Sequence, residues 1–242
     1  MSEPIETSKK KISIEHAQPE DLAAMEKICE LTVDQGIEPK PSRNFLQFVP
    51  AIWLTPYMTL GTAASGIASD ATSGTTPDTR TICLVARLRE KGSAESSVIG
   101  YCISALNAHE FETSVAQNWY PQLRAQYQSR VGEFTASDKG TWRIIAHPEP
   151  VEEAWLGKYP AETHINILAN GRGLGVGRHL LETMSTELRV AGIPGFYLGT
   201  APLNVKAHRF YEHMGYELIA QEEGGGPVYG VVLGLSGLSA GR

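Results

Sequence analysis

Cysteine is scarce. Cys29, Cys83 and Cys102 are an odd number, far apart, with no CxxC pair, which excludes a disulfide framework and the common zinc sites. Their apolar neighbours (Ile28; Ile82 and Leu84; Tyr101 and Ile103) predict buried free thiols in a reducing compartment rather than nucleophiles. No Cys/His/carboxylate set has ligand spacing, so no metal is expected. No run approaches the ~18 apolar residues of a membrane span. The N-terminal MSEPIETSKKK lacks the apolar centre of a signal peptide. Basic clusters are also missing beyond Lys9–Lys11, and the net charge is −6, which argues against nucleic acid as a partner. The expected location is the cytoplasm, with the nucleus left open.

What is present is globular. Hydrophobic residues make up 42% and charged residues 20% of 242, a length for one large domain or two small ones. Residues 1–10 and 236–242 read as tails of a domain spanning 11–235. Residues 11–16 alternate apolar and polar, as a strand does. Pro19-Glu20-Asp21 then opens a helix that buries Leu22, Met25, Ile28 and Cys29 and stops at Gly36. A second helix is predicted around 43–54, with Pro50 against it. Residues 61–80 are low in complexity and read as a flexible insertion. Strands are predicted over 81–88 and 97–106, a helix over 108–130 that Pro121 should kink or divide, and a strand over 142–146. Beyond them lie a strand over 163–168, a helix with Leu180, Leu181, Met184 and Leu188 as its buried stripe, a strand over 196–199, a helix over 205–214, and strands over 216–221 and 228–233. Interleaved strands and helices imply a mixed α/β sheet.

The chemistry concentrates between Ile165 and Leu181, where a strand passes through a tight glycine turn into a helix. Unpaired N–H groups and the helix dipole at such a turn suit a phosphate. The glycines permit φ > 0 and close approach, and Arg172 and Arg178 add positive charge at the rim. The dinucleotide pattern GxGxxG fails, because the sixth position is Arg178 counted from Gly173 and Leu180 counted from Gly175. GxxxxGK[ST] fails as well. What fits is R-x-x-G-x-G at Arg172, Gly175 and Gly177. Alone, this stretch would equally suit a structural turn.

Downstream runs Asn204-Val-Lys-Ala207-His-Arg-Phe210-Tyr211-Glu-His-Met-Gly215-Tyr216. The two stretches, in this order, resemble the pyrophosphate loop and the N-x-x-A-x-x-F-Y-x-x-x-G-F motif of the GNAT superfamily of N-acetyltransferases. A narrower resemblance, close over 151–234 and looser over 11–130, is to the acetyltransferase-like C-terminal domain of O-GlcNAcases and its free-standing microbial relatives. The resemblance implies a single α/β GNAT domain. Its mixed, mostly antiparallel central sheet would be flanked by helices and splayed at the strand that meets acetyl-CoA. It implies acetyl-CoA as cosubstrate, with contacts from Ile167, Leu168, Arg172, Gly173, Leu174, Gly175, Val176, Gly177, Arg178, Asn204 and His208. Tyr211 would be the acid beside the thioester sulfur, and a backbone N–H near Ile167–Leu168 the oxyanion donor. His164 is the candidate base, with Glu162 or an ordered water as rivals. Strand alternation places His164 and Asn166 opposite Ile165 and Ile167, unless a bulge reverses it.

The acceptor pocket is expected from 30–56, 107–127 and 222–229. Trp53, Tyr57, Trp119, Tyr120 and Tyr229 would either line it or simply pack. The acidic net charge favours a cationic acceptor. The leading reading is N-acetylation of a small amine such as an amino sugar. The others are acetylation of protein lysine and a CoA-binding or partner-binding module with little catalysis. The oligomeric state is left open.

Overall fold

A computed structural model describes residues 4–6, 10–34, 40–63, 78–93, 95–149, 154–221 and 226–234. Among these, the strands are β1 (Ile5–Glu6), β2 (Lys10–His16), β3 (Thr62–Ala63), β4 (Arg80–Glu90), β5 (Ser96–Ala105), β6 (Ala161–Ile167), β7 (Gly195–Gly199), β8 (Glu217–Gln221) and β9 (Pro227–Val232). The helices are α1 (Leu22–Thr32), α2 (Phe48–Trp53), α3 (Thr55–Thr59), α4 (Ala108–Ser114), α5 (Tyr120–Tyr127), α6 (Ala136–Ala146), α7 (Val176–Val190) and α8 (Val205–His213).

The strands form one open sheet in the order β1-β2-β4-β5-β6-β7-β9-β8, with β3 beside the start of β4. Every pairing is antiparallel except β3 with β4 and β6 with β7. β6 pairs with β7 only at Ala161–Phe196 and Glu162–Tyr197, and beyond Glu162 the two strands part. This is the expected splay, and it runs from Glu162 along β6 to the glycine turn.

Each face of the sheet carries its own core. One is built on α7, whose Leu180, Leu181, Met184 and Leu188 are all 0% exposed and pack on Ile82, Leu84, Ile99 and Cys102. Each such side chain contributes about 1.5–3 kcal/mol of burial. The other face is covered by α1 to α6 through Met25, Ile28, Phe48, Tyr57, Phe111 and Trp142. No described helix is long and apolar enough to cross a membrane.

The structure corrects several expectations. Residues 142–146 are not a strand but the end of α6. Thr135 and Asp138 form a capping box there, and Thr141, Trp142 and Ile145 recur at helical spacing on the buried face. The second helix breaks at Leu54 rather than at Pro50. Pro50 lies in the first turn of α2, where its missing N–H costs nothing. At Pro121 the helix is divided, the second of the two expected outcomes. A π-helical turn over Val115–Trp119 precedes α5, which takes the proline in its first turn. Within the expected N-terminal tail, Ile5 and Glu6 pair with Ile12 and Lys11. Within the expected insertion, Thr62 and Ala63 pair with Arg80 and Thr81. Gly36, residues 64–77 and residues 235–242 lie outside the described residues.

Asp138 fastens α6 to the chain before α2. It is fully buried and accepts from the backbone N–H groups of Asn44, Phe45 and Thr135 and from the Thr135 hydroxyl. Burial pushes its carboxyl up, but these donors outweigh burial and hold it below the ordinary 3.8. Its stabilisation is therefore present above that value and is lost as pH falls through the lower folded-state value. Asp138→Ala is expected to cost about 2–4 kcal/mol in urea unfolding at pH 7. The difference from wild type should narrow below pH 4, and a constant difference down to pH 2 would count against the ionised, hydrogen-bonded carboxylate.

Candidate active site

The glycine turn lies between β6 and α7. A 3-10 turn over Ala169–Gly171 leads into Gly173 and Gly175, with φ of +74° and +80°. Gly175 is the N-cap of α7 and offers no side-chain cap. A side chain there would be strained by the positive φ. Gly177 answers to space instead: a Cβ would sit 3.2 Å from both Ile167 Cδ1 and Phe210 Cζ, so its absence lets α8 close on the start of α7. Among the described residues, no backbone acceptor serves the N–H groups of Gly173, Leu174, Gly175, Val176, Gly177 and Arg178. Six successive donors at a helix N-terminus form an anion cradle. Arg178 sits at its rim beside Glu182, at 3.5 Å. Arg172 folds back instead, donating from Nε and Nη2 to the Ile167 carbonyl at 3.2 and 3.1 Å.

The phase of the β5–β6 ladder decides which amides of β6 face the gap. Leu168 donates to the Ile99 carbonyl at 2.9 Å. In an antiparallel ladder, residues point alternately toward the partner strand and away from it. With Gly100 opposite Ile167 and an unbroken register through Ala105–Glu162, Leu168, Asn166 and His164 bond to β5. Ile167 and Ile165 therefore direct N–H and C=O into the splay beside β7. Of the expected pair Ile167–Leu168, Ile167 keeps its N–H aimed into the splay, and Ile165, which was not expected, joins it. Leu168 is corrected, because its N–H is already engaged. The register also shows no bulge in β6, so the alternation stands and His164 lies on the face opposite Ile165 and Ile167.

On the α7 side, Asn204 caps α8, its side chain accepting from the Ala207 N–H at 3.3 Å. His208 holds the preceding turn through Nε2 and the Ala201 carbonyl at 3.0 Å. Tyr211 is 6% exposed and stacks on Tyr216, ring centroids 5.9 Å apart and 5° from parallel, with Tyr229 at 5.3 Å. Burial raises its phenol, with smaller contributions from Cys102 and Tyr229. Cys102 lies opposite Ile165, so the phenol sits under β6 at the level where the strands part. Tyr229 belongs to this face and not to the acceptor side.

The other face of β6 is polar. His164 Nε2 is 3.1 Å from the Tyr57 hydroxyl and 3.6 Å from Glu162 Oε1, and Tyr57 donates to Glu162 Oε2 at 3.4 Å. Burial lowers the His164 pKa from its ordinary 6.5, partly offset by Glu162, so the imidazole is neutral at pH 7. Glu112 of α4 is pushed up to about 8 by burial and then by the charge of Glu162. The phenols of Tyr120 and Tyr197 are raised by burial and by these same two carboxylates. Asn166 is occupied elsewhere, donating to Tyr101 and accepting from Thr32. Trp119 serves packing, its Nε1 donating to the Ala51 carbonyl at 2.8 Å. Trp53 packs at the edge of the same core. The thiols are no nucleophiles: burial lifts Cys29 to about 11, Cys83 to about 12 and Cys102 higher still.

Sequence reasoning did not single out Glu112 or Tyr197. Glu112 lies in an acidic stretch that reads as solvated helix, and Tyr197 in an apolar strand. Only the pairing of Glu162 with Tyr197 and the packing of α3 and α4 bring them together. Glu112 gives a pH prediction. Below its ordinary 4.5 it is protonated in both states. Between there and about 8 the unfolded chain releases the proton and the folded chain keeps it, so stability falls as pH rises. Glu112→Gln is expected to flatten the decline in Tm from pH 5 to 8. An unchanged slope would contradict the raised carboxyl of Glu112.

Residues 116–216 match the model of the acetyltransferase (GNAT) family. A crystal structure of a protein called SsHAT superposes with a TM-score of 0.73 at 22% identity, covering 92% of this chain and 98% of the other. A GCN5-related N-acetyltransferase from Kribbella flavida aligns over 92% of this chain and 98% of its own at 14% identity, TM-score 0.47. The yncA protein from Salmonella typhimurium, solved with its cofactor acetyl-CoA, aligns over 96% and 98% at 17% identity, TM-score 0.45. Family match, strand order and splay agree: the chain is a single α/β domain of the GNAT acetyltransferase fold.

Proposed function

We propose that this protein is an N-acetyltransferase that uses acetyl-CoA to acetylate the amine of a small molecule of the amino-sugar kind. The observation that carries the reading is the run of unbonded N–H groups from Gly173 to Arg178, set against a splayed strand with inward-facing amides. The donors fit a pyrophosphate, with Arg178 as counter-charge at the rim. Beside them, Asn204 and His208 order the start of α8. The coenzyme would supply an activated acetyl thioester, which the amine attacks directly.

The chain's own residues then have three tasks. The amides of Ile165 and Ile167 receive the negative charge that develops on the acetyl oxygen. His164, neutral and 3.6 Å from Glu162, takes the amine proton, and the carboxylate stabilises the imidazolium. Tyr211 faces the departing sulfur. Its raised phenol makes it a hydrogen-bond donor to the thiolate more than a full proton donor. The net charge of −6 favours a cationic acceptor.

Calorimetric titration with acetyl-CoA tests the cradle. A Cβ at Gly175 has room, since its nearest contact would be 3.7 Å away, so Gly175→Asp should fold. Positive φ and a carboxylate facing the phosphates should weaken binding by roughly tenfold or more. Tyr211→Phe should bind acetyl-CoA like wild type and lose roughly tenfold in kcat, followed by thiol release. Absence of binding to wild type at millimolar acetyl-CoA would overturn the activity.

A further inference from the structure

The polar face of β6 carries more than a base. Five elements bring titratable or hydroxyl groups to one place: Tyr57 from α3, Glu112 from α4, Tyr120 from α5, Glu162 and His164 from β6, and Tyr197 from β7. Tyr197 stands directly across from Glu162 in the last pair before the strands part. Tyr57 bonds Glu162 and Tyr197 pairs with it across the strands, and the charges of Glu112 and Glu162 reach all three phenols. Tyr57 is satisfied by Glu162 and His164. Tyr120 and Tyr197 are not.

Tyr120 is 1% exposed and Tyr197 6%. Among the described residues, neither hydroxyl has a hydrogen-bond partner, although buried polar groups almost always find one. The one sealed and unpartnered side-chain polar atom among those residues is Trp155 Nε1, so the two phenol hydroxyls open on space. A phenol can both donate and accept. Two such groups beside Glu112 and Glu162 make a receptor for a cation that carries its own hydroxyls and whose charge sends the Glu112 proton to solvent. An alkyl ammonium would satisfy the carboxylates but leave both phenols bare. The aliphatic stem of a lysine would do the same.

We propose that Glu112, Glu162, Tyr120 and Tyr197 form the acceptor subsite, and that it takes a primary ammonium flanked by hydroxyl groups, a vicinal amino alcohol of the amino-sugar class. Tyr120 and Tyr197 determine specificity by bonding the neighbouring hydroxyls. Glu112 and Glu162 hold the ammonium until its proton leaves. The inference rests on the acetyltransferase reading above and adds the residues that choose the acceptor.

The test uses the full chain, with Tyr120→Phe and Tyr197→Phe made separately so that one misfolded variant does not decide it. Calorimetry with acetyl-CoA comes first and should give wild-type affinity for both. Thiol release is then followed with glucosamine, cyclohexylamine and Nα-acetyl-lysine methylamide. The readout is the ratio of wild-type to variant kcat/KM for each amine, in which differences of amine basicity cancel. The expected result is a loss of roughly tenfold per variant on glucosamine and less than twofold on the other two. Equal losses on all three amines would overturn the subsite, as would wild type preferring the lysine derivative. Normal acetyl-CoA binding with no turnover of glucosamine would overturn it too. Failure of wild type to bind acetyl-CoA would instead remove the acetyltransferase reading itself, and the subsite with it.

Discussion

The parting of β6 from β7 is the constraint on which the rest depends. β6 is held along its outer edge by β5, from Gly100–Ile167 to Ala105–Glu162, and β7 by β9 over its whole length. Neither strand can move to satisfy the other. Their facing edges therefore keep unbonded amides, an arrangement that costs free energy unless water or a ligand completes it. The site is an interrupted ladder, and the strands on either side keep it open.

Alternation along β6 then divides the labour. Ile165 and Ile167 face α7 and α8, where the glycine cradle and Tyr211 lie. Glu162 and His164 face α3 and α4, where Tyr57 and Glu112 lie. Cofactor and acceptor would thus approach one strand from opposite sides. A one-residue slip of β6 would exchange the two sets of side chains, so its unbroken register with β5 matters to the chemistry as much as to the fold.

Burial acts differently on each group of that site. It lifts the thiols and phenols out of the range where they ionise, keeps His164 neutral, and leaves Glu112 holding its proton at pH 7. The charge of Glu162 adds to burial in disfavouring the ionised form of Glu112. A cation beside them would favour loss of the Glu112 proton instead. Glu112, which lowers stability at neutral pH, would thus lose that cost on ionising beside a bound ammonium.

Local grammar was enough for much of the chain. Positive-φ glycines at 173 and 175, the N-cap at Asn204, the stripe of Leu180, Leu181, Met184 and Leu188, and the strand alternation of β2 and β6 are near-neighbour effects, and each was legible in the residues themselves. Residues 142–146 were misread because a short apolar run suits strand or helix alike. The capping box seven residues upstream decided it. Three things belonged to tertiary structure alone: the phase of the β5–β6 ladder, which took Leu168 out of the oxyanion role; the meeting of Glu112 with Glu162; and the placing of Tyr197 opposite Glu162. Each depends on contacts between residues tens of positions apart. Such contacts follow from how the sheet pairs and how the helices pack across it, and no local pattern encodes them.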